Sequence, residues 1–187
     1  MKNAYNQEKA YKNLNQDIID RCIAGDQKAQ FKLYKLYYKS MYNASLRIVR
    51  ESGEAEDIMQ ESFLVAFEKI DTYEGKVSFG SWLKRIVINR SLDSYRKKKI
   101  DLVELNEPVR HIPENEQIDE DEIDFKVERI KEAVNQLPDG FRIVLSLYLF
   151  EGYDHAEISE ILGISSSTSR SQYARAKQKL LDLLKTI

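Results

Sequence analysis

The chain has 187 residues, of which 42% are hydrophobic and 32% charged, and its formal net charge is −2. This length allows one or two small domains, and the near-neutral charge is unexpected for a free-standing DNA-binding protein. Only three prolines and seven glycines occur, and no stretch shows the alternation typical of strands. The sequence therefore predicts an all-α protein.

The sequence has few residues that could form a metal site, a redox centre or a membrane span. Cys22 is the single cysteine and cannot form an internal disulfide. It lies among apolar helix positions, which is typical of a core residue in a cytosolic protein. Two histidines far from this cysteine make a poor metal set, so we expect neither metal nor cofactor. We also expect no signal peptide and no membrane span, because no apolar run is long enough.

Three helices are predicted before residue 71. The first is capped by Asn15 and ends at Gly25-Asp26. The second carries apolar residues from Phe31 to Val49 on more than one side, which is typical of a central helix or of one that is half docking surface. Ser52-Gly53 breaks the chain before the third helix, EAEDIMQESFLVAFEKI.

The third helix has two contrasting faces. The inward face is apolar or small and comprises Met59, Ser62, Phe63, Ala66, Phe67 and Ile70. The opposite stripe comprises Asp57, Gln60, Glu61, Leu64 and Glu68. Solvation alone accounts for an acidic stripe, and the exposed leucine in its middle argues only slightly against that interpretation.

A loop, DTYEGKVS, leads to a fourth helix from about Ser78 to Lys98. Phe79, Leu83, Ile86 and Val87 form its inward face, and Arg85, Asn89, Asp93 and Arg96 form a second, polar face. From residue 81 to residue 100, seven positive residues stand against one acid, a net charge of +6. A basic helix with Trp82 and Tyr95 interleaved suits nucleic acid, because cations bind phosphates and rings stack on unstacked bases. Trp82 alone fits a core position equally well.

Residues 101–128 reverse the charge. Eleven acids stand against Arg110 and Lys126, a net charge of −9, and Pro108 and Pro113 interrupt the segment. This composition predicts a linker between two domains. Two further helices are then predicted. The apolar positions of the first are Ile123, Val127, Ile130, Val134 and Leu137, and those of the second are Phe141, Val144, Leu145, Tyr148 and Leu149.

The stretch from Asp154 to Leu180 predicts a helix-turn-helix. Asp154 and Glu157 match a capping box, Gly163 permits the tight turn, and Ser165 restarts the chain as an N-cap. The second helix buries Tyr173, Ala176, Leu180 and Leu184. Its other faces are basic, which favours a helix for the DNA major groove over an ordinary helical hairpin.

These motifs resemble those of bacterial sigma factors of the extracytoplasmic-function (ECF) group of the sigma-70 family. EAEDIMQESFLVAF resembles the segment of region two that binds the polymerase clamp. FGSWLKRIVINRSLDSYRKK resembles the pattern F-x-x-W-L-x-x-I-x-x-N-x-x-x-D-x-x-R, which melts and reads the minus-ten element. LPDGFRIVLSLYLFEGYDHAEISEILGIS and the helix after it resemble region four. The match covers roughly residues 14–185.

The resemblance implies a transcription initiation factor without enzymatic activity, acting in the cytoplasm. It implies two helical domains, 14–100 and 123–187, joined by the linker 101–122. Its implied partners are core RNA polymerase, promoter DNA and an anti-sigma factor. In relatives the linker threads the RNA channel, and a plain tether is the alternative here. A free-standing helix-turn-helix regulator is the rival function, and an enzyme using carboxylates is a third.

Site residues follow from the same resemblance. The clamp would contact Asp57, Gln60, Glu61 and Leu64. The loop from Tyr73 to Gly80 would hold a flipped base. The non-template strand would contact Trp82, Arg85, Asn89, Arg96, Lys97, Lys98 and Lys99. The minus-thirty-five element would contact Ser167, Thr168, Arg170, Ser171, Gln172 and Arg175.

The recognition helix departs from the usual pattern of the family. Relatives commonly carry G-T-V-K/R-S-R, whereas this chain has Ser167-Thr168-Ser169-Arg170-Ser171-Gln172. Ser169 replaces an apolar anchor and Gln172 replaces an arginine. Glutamine favours adenine over guanine by its bidentate geometry. The target sequence upstream is therefore expected to differ.

Overall fold

The computed structural model describes residues 15–105 and 123–186, and within these ranges all regular structure is helical. The helices are α1 (Gln16–Ile23), α2 (Gln27–Val49), α3 (Ser52–Glu68), α4 (Phe79–Leu105), α5 (Ile123–Asn135), α6 (Asp139–Leu149), α7 (His155–Leu162) and α8 (Ser166–Thr186). A single 3-10 turn, Ile70–Thr72, follows α3. The predicted all-α class is confirmed. Most of the predicted acidic linker, residues 106–122, lies outside the described residues.

The chain divides into two compact units. The N-terminal unit comprises Met1–Ser45 and Ser52–Asp93, and the C-terminal unit comprises Leu46–Glu51 and Ser94–Ile187. Both α2 and α4 therefore contribute to each unit. The predicted domain boundaries after residues 100 and 122 stay a prediction.

The core of the N-terminal unit forms where α1 to α4 turn their apolar faces together. It contains Ile19, Cys22, Ala29, Leu33, Met41, Met59, Phe63, Ala66, Ile70, Tyr73, Phe79, Leu83 and Val87. Full burial of one large aliphatic or aromatic side chain contributes about 1.5–3 kcal/mol. The predicted inward face of α3 is confirmed, except that Phe67 is only half-buried. Burial raises the pKa of the Cys22 thiol to about 11.

The start of α1 differs from the prediction. Asn15 precedes the helix, but its side chain makes no capping hydrogen bond. Asp26 performs this role for α2 instead, because its Oδ1 accepts from the main-chain N–H of Lys28 at 2.8 Å and of Ala29 at 3.3 Å. The hydrogen bond from Arg21 holds the pKa of Asp26 below its usual range. Gly25 reverses the chain before this cap at φ +84°.

Helix α4 is longer than predicted. The prediction ended it at Lys98, whereas the helix continues to Leu105. No proline or glycine lies between these positions, and the leucine, valine and glutamate there are compatible with a helix. The first strong break is Pro108, which disfavours helical backbone in the preceding residue.

The C-terminal unit buries the middle of α6 on all sides and one face each of α5, α7 and α8. Its buried apolar residues include Ala133, Val134, Leu137, Ile143, Val144, Leu145, Leu147, Ile158 and Ala176. Ile130, one of the periodic apolar positions of α5, is 40% exposed. The side chains of Ile123 and Val127 lie outside the described residues. In α8, Ala176 is buried as predicted, whereas Tyr173, Leu180 and Leu184 are half-buried.

The turn between α7 and α8 confirms the predicted helix-turn-helix. Asp154 Oδ1 accepts from the N–H of Ala156 and of Glu157 at 2.8 Å, and Glu157 Oε2 accepts from the N–H of Asp154 at 2.9 Å. Gly163 ends α7 at φ +67°, in the left-handed region. Ser165 then caps α8, because its hydroxyl accepts from the N–H of Thr168 at 3.0 Å.

Candidate polymerase and nucleic-acid interfaces

The acidic stripe of α3 is a solvent-facing surface. Its five residues are all exposed: Asp57, Gln60, Glu61, Leu64 and Glu68. Leu64 is apolar and 64% exposed, so the acidic stripe contains one apolar position that is accessible to a partner. Glu61 pairs with Arg90 of α4, so one carboxylate of the stripe is held by a neighbouring helix. We call this surface the α3 stripe.

Tyr73 is buried at the start of the loop that is predicted to hold a flipped base. Its side chain is only 9% exposed and its hydroxyl donates to the main-chain carbonyl of Val77 at 2.5 Å. Its ring packs edge-on against Phe79 with centroids 5.6 Å apart. A direct stack of a base on Tyr73 is not supported by this placement, because the ring faces the core. Tyr73 instead holds together the loop that leads into α4.

The sequence left open whether Trp82 is a core residue or an exposed stacking residue, and its position has features of both. Its ring packs against Tyr73 at 5.4 Å and against Phe79 at 5.5 Å between centroids. The residue is nevertheless only half-buried. The indole therefore has both core contacts and solvent-accessible surface.

The predicted polar face of α4 is exposed. The residues proposed to contact the strand are Arg85, Asn89, Arg96, Lys97, Lys98 and Lys99, and all of them are exposed. Within the C-terminal unit, Arg96 donates through Nη2 to the main-chain carbonyl of Ile161 at 3.3 Å. Contact of Arg96 with a phosphate would therefore compete with this bond.

The first half of α8 presents a polar surface. Ser167, Arg170, Ser171 and Arg175 are exposed, and Thr168 is half-buried. Gln172 is also half-buried, and its Oε1 lies 3.8 Å from the point where a Cβ on Gly140 would stand. The amide of Gln172 thus lies close to the start of α6. We call this set of six residues the α8 reading face.

Ser169 is the buried exception in this half of α8. Its hydroxyl is 2.9 Å from Nδ1 of His155, the first residue of α7. The apolar anchor common in relatives is thus replaced by a serine with a polar partner across the turn. The sequence showed the substitution but not the partner, because the two residues are fourteen positions apart.

Comparisons with known proteins agree with this geometry. Family models match the chain as Sigma-70 region 2 over residues 33–100 and Sigma-70, region 4 over residues 127–180. The ECF RNA polymerase sigma factor SigW of Bacillus subtilis is 30% identical over 181 residues, covering 90% of this chain and 96% of the relative. The chain belongs to the ECF sigma factors. RNA polymerase sigma-H factor of Pseudomonas aeruginosa is 28% identical, with 89% and 91% covered.

Two solved structures share the fold of this sigma factor. CnrH, in complex with the cytosolic domain of CnrY, aligns with a TM-score of 0.58 at 22% identity, covering 92% of this chain and 97% of that one. Sigma factor RpoE of Bartonella quintana, in complex with the anti-sigma factor NepR, also gives 0.58 at 21% identity, covering 82% and 95%. As an ECF sigma factor, the chain is an initiation factor that directs RNA polymerase to promoters. The rival free-standing regulator is not favoured.

Sequence reasoning missed one buried cation of the sigma factor. Arg142 is 1% exposed in the C-terminal unit. Its guanidinium donates to the main-chain carbonyls of Arg47 and Ile48, the latter at 3.2 Å, and to Oδ1 of Asp139 at 2.9 Å. Burial holds its pKa below the usual value despite the carboxylate. Carbonyls at a helix C-terminus lack helical partners, and a cation satisfies them.

Asp139 connects Arg142 to a tyrosine of the sigma factor. The Tyr95 hydroxyl donates to Asp139 Oδ2 at 3.0 Å. Burial, the carboxylate charge and this bond raise the pKa of Tyr95 to about 12. Burial alone would raise the pKa of Asp139, but the bonds from Arg142 and Tyr95 outweigh it and hold that pKa below its usual value.

Within residues 15–105 and 123–186, no group of His, Cys, Asp and Glu side chains is arranged to hold a metal ion. Over the same described residues, no helix has both the length and the apolarity to cross a membrane.

Proposed function

We propose that this sigma factor binds the clamp of core RNA polymerase through the α3 stripe. The observation that carries the proposal is the exposed Leu64 among Asp57, Gln60 and Glu61, on the helix face opposite the core. An apolar residue within an acidic rim fits a basic partner surface that also has an apolar spot, since charge steers association and apolar contact adds affinity.

We further propose that α4 captures the non-template strand at the minus-ten element. Its exposed cations, Arg85 and Lys97 among them, can neutralise phosphates, and the solvent-accessible part of Trp82 offers a stacking surface. Opening duplex DNA costs about 1.4 kcal/mol per base-pair step. Capture of flipped bases offsets part of this cost. In this proposal the ring of Tyr73 packs against Trp82 and does not contact the base.

The α8 reading face is proposed to bind the minus-thirty-five element in the major groove. It lies on the second helix of the helix-turn-helix, the position that enters the groove in proteins of this class. Its serine, threonine and glutamine side chains can donate to bases and phosphates, and its arginines supply charge. Lys177 and Lys179 follow along the same helix and are exposed.

No covalent chemistry is proposed for this protein, and its place of action is proposed to be the cytoplasm, where polymerase and promoter DNA meet. An anti-sigma factor is a proposed further partner, because RpoE of Bartonella quintana was solved bound to one. Competition between the anti-sigma factor and core polymerase would test whether the two partners bind the same surface.

Transcription reconstituted from purified components tests the proposal. Core polymerase, the full chain and supercoiled promoter DNA should give transcripts that core polymerase alone does not give. A chain that binds its promoter at nanomolar affinity without polymerase, and does not stimulate transcription, would favour the free-standing regulator.

A further inference from the structure

One side chain is fully buried in the first three turns of α8. Among residues 166–175, Ser169 alone is buried, and it is fully inaccessible. The next buried position along the helix is Ala176. Thr168 and Arg170 of the α8 reading face flank Ser169 directly. The position of the Ser169 side chain therefore determines where these two neighbours point.

The partner of Ser169, His155 of α7, is contacted by side chains of two other helices, α6 and α8. Nδ1 of His155 lies 2.9 Å from the Ser169 hydroxyl. The imidazole stacks on Tyr148 of α6 with centroids 4.7 Å apart and planes 21° apart. It also meets Tyr173 of α8 at 5.7 Å, nearly edge-on at 65°. Tyr148 and Tyr173 also contact each other, with centroids 4.5 Å apart, so the three rings form one cluster.

We propose that His155 and Ser169 form a polar anchor that sets the rotation of α8 about its axis, and so determines which bases the α8 reading face contacts. His155 is then a positioning residue for promoter specificity, although it need not touch DNA. This inference rests on the proposed role of α8 at the minus-thirty-five element.

The physical basis is the directionality of the contact. A hydrogen bond holds only over a narrow range of distance and angle, whereas apolar contact is non-directional. A buried hydroxyl that loses its partner also costs about 1–3 kcal/mol, so rotations of α8 that break the bond are disfavoured. An apolar residue at 169 would not impose this restriction.

The test uses core polymerase with the full chain and a duplex library randomised across both promoter elements. Bound duplexes are sequenced for the wild type, Ser169→Ala and His155→Phe. We expect each variant to lower the preference for the wild-type upstream sequence about tenfold, comparable to the loss of one base contact. The minus-ten preference, which we assign to α4, should not change and serves as the internal control.

Ser146→Ala is the matched control for burial of a serine. Ser146 is buried in α6, and within the described residues its hydroxyl has no hydrogen-bond partner. Its replacement should leave both preferences at wild-type values. A change in upstream preference as large as that of Ser169→Ala would overturn the proposal.

The double variant His155→Phe with Ser169→Ala separates positioning from stability. It keeps a ring on Tyr148 and removes both polar atoms, so no buried hydroxyl is left without a partner. Such paired apolar replacement is nearly neutral for stability. We expect its melting temperature to return towards wild type while the upstream preference stays altered.

Two results would contradict the inference: single variants with the wild-type upstream preference, or a preference that recovers together with the melting temperature in the double variant. A wild-type chain with no upstream preference at all would instead overturn the proposed role of α8 in reading DNA. The failures of the two proposals are thus distinguishable in one experiment.

Discussion

The phenol of Tyr95 donates to Oδ2 of Asp139 over 3.0 Å. The folded state raises the pKa of Tyr95 to about 12, chiefly by burial and then by the carboxylate. A tyrosine with a raised pKa stabilises the fold fully below its unfolded pKa of about 10 and loses that contribution as pH rises towards 12. The bond therefore predicts a specific alkaline loss of stability.

We expect Tyr95→Phe to lower the free energy of unfolding at pH 7 by about 1–2 kcal/mol, because a hydrogen bond to a carboxylate is lost. The difference from the wild type should shrink between pH 10 and pH 12. Urea unfolding of both proteins across this range measures it. Equal stability of the two at pH 7 would show that the bond contributes nothing.

Arg142→Met should destabilise the C-terminal unit strongly. The substitution leaves the carbonyls of Arg47 and Ile48 without this donor and Asp139 without its closest cation. Removal of one partner from a buried charged network costs about 3–5 kcal/mol. Thermal unfolding followed by circular dichroism measures the loss.

Arg170→Met is the matched control for Arg142→Met, because Arg170 is exposed on α8. Surface replacements away from such networks stay within about 0.5 kcal/mol. Equal melting temperatures for Arg142→Met and Arg170→Met would contradict the structural role given to Arg142.

Glu61→Lys should weaken binding to core polymerase while leaving the fold intact. It reverses one charge of the α3 stripe at an exposed position, so the buried core is unchanged, although the ion pair with Arg90 is lost. We expect affinity to fall about tenfold, since reversed charges at an interface cost of the order of 1–2 kcal/mol or more. Competition for core polymerase against the labelled wild type measures it. Asp17→Lys on α1 is the control, and an unchanged affinity for Glu61→Lys would remove the α3 stripe from the interface.

Two glycines of the C-terminal unit should respond to alanine in opposite ways. Gly163 has φ +67°, and no atom lies within 4 Å of an added Cβ, so the cost there is backbone strain of about 1–2 kcal/mol. Gly140 lies in the first turn of α6, where an added Cβ would make only an ordinary contact with Gln172. Gly140→Ala should therefore stabilise by about 0.4–1 kcal/mol through the unfolded state. The urea concentrations at the midpoint of unfolding measure both changes in stability. A loss of stability in both variants would contradict this distinction.

Local rules made much of the fold predictable. Asp154, Glu157 and Gly163 act on neighbours within a few residues, and the structure places all three as the sequence predicts. The inward face of α3 also followed from its period, because each position depends only on the rotation of one helix. The end of α4 was missed since its last residues carry no break signal, and a charge reversal does not end a helix.

The less predictable features depend on contacts distant in sequence. Arg142 sits in an ordinary helical segment, and its carbonyl partners lie 94 and 95 positions away. Tyr73 matched a family position in a loop, but the burial of its ring depends on Phe79 and Trp82 packing against it. Ser169 could be identified as unusual, whereas its hydrogen bond to His155 required the folded turn.

Because Cys22 is buried, its reaction with a thiol reagent would report opening of the N-terminal unit. The thiol is 2% exposed and its pKa is raised to about 11, so at neutral pH it is both shielded and almost wholly protonated. Thiolate is the reactive form, so a thiol reagent should modify the chain only in molecules whose α1 has separated from the core. Because the chain contains one cysteine, each labelled molecule records one such opening. The labelling rate, followed with and without core polymerase, would then measure how much polymerase binding suppresses these openings, with no mutation introduced.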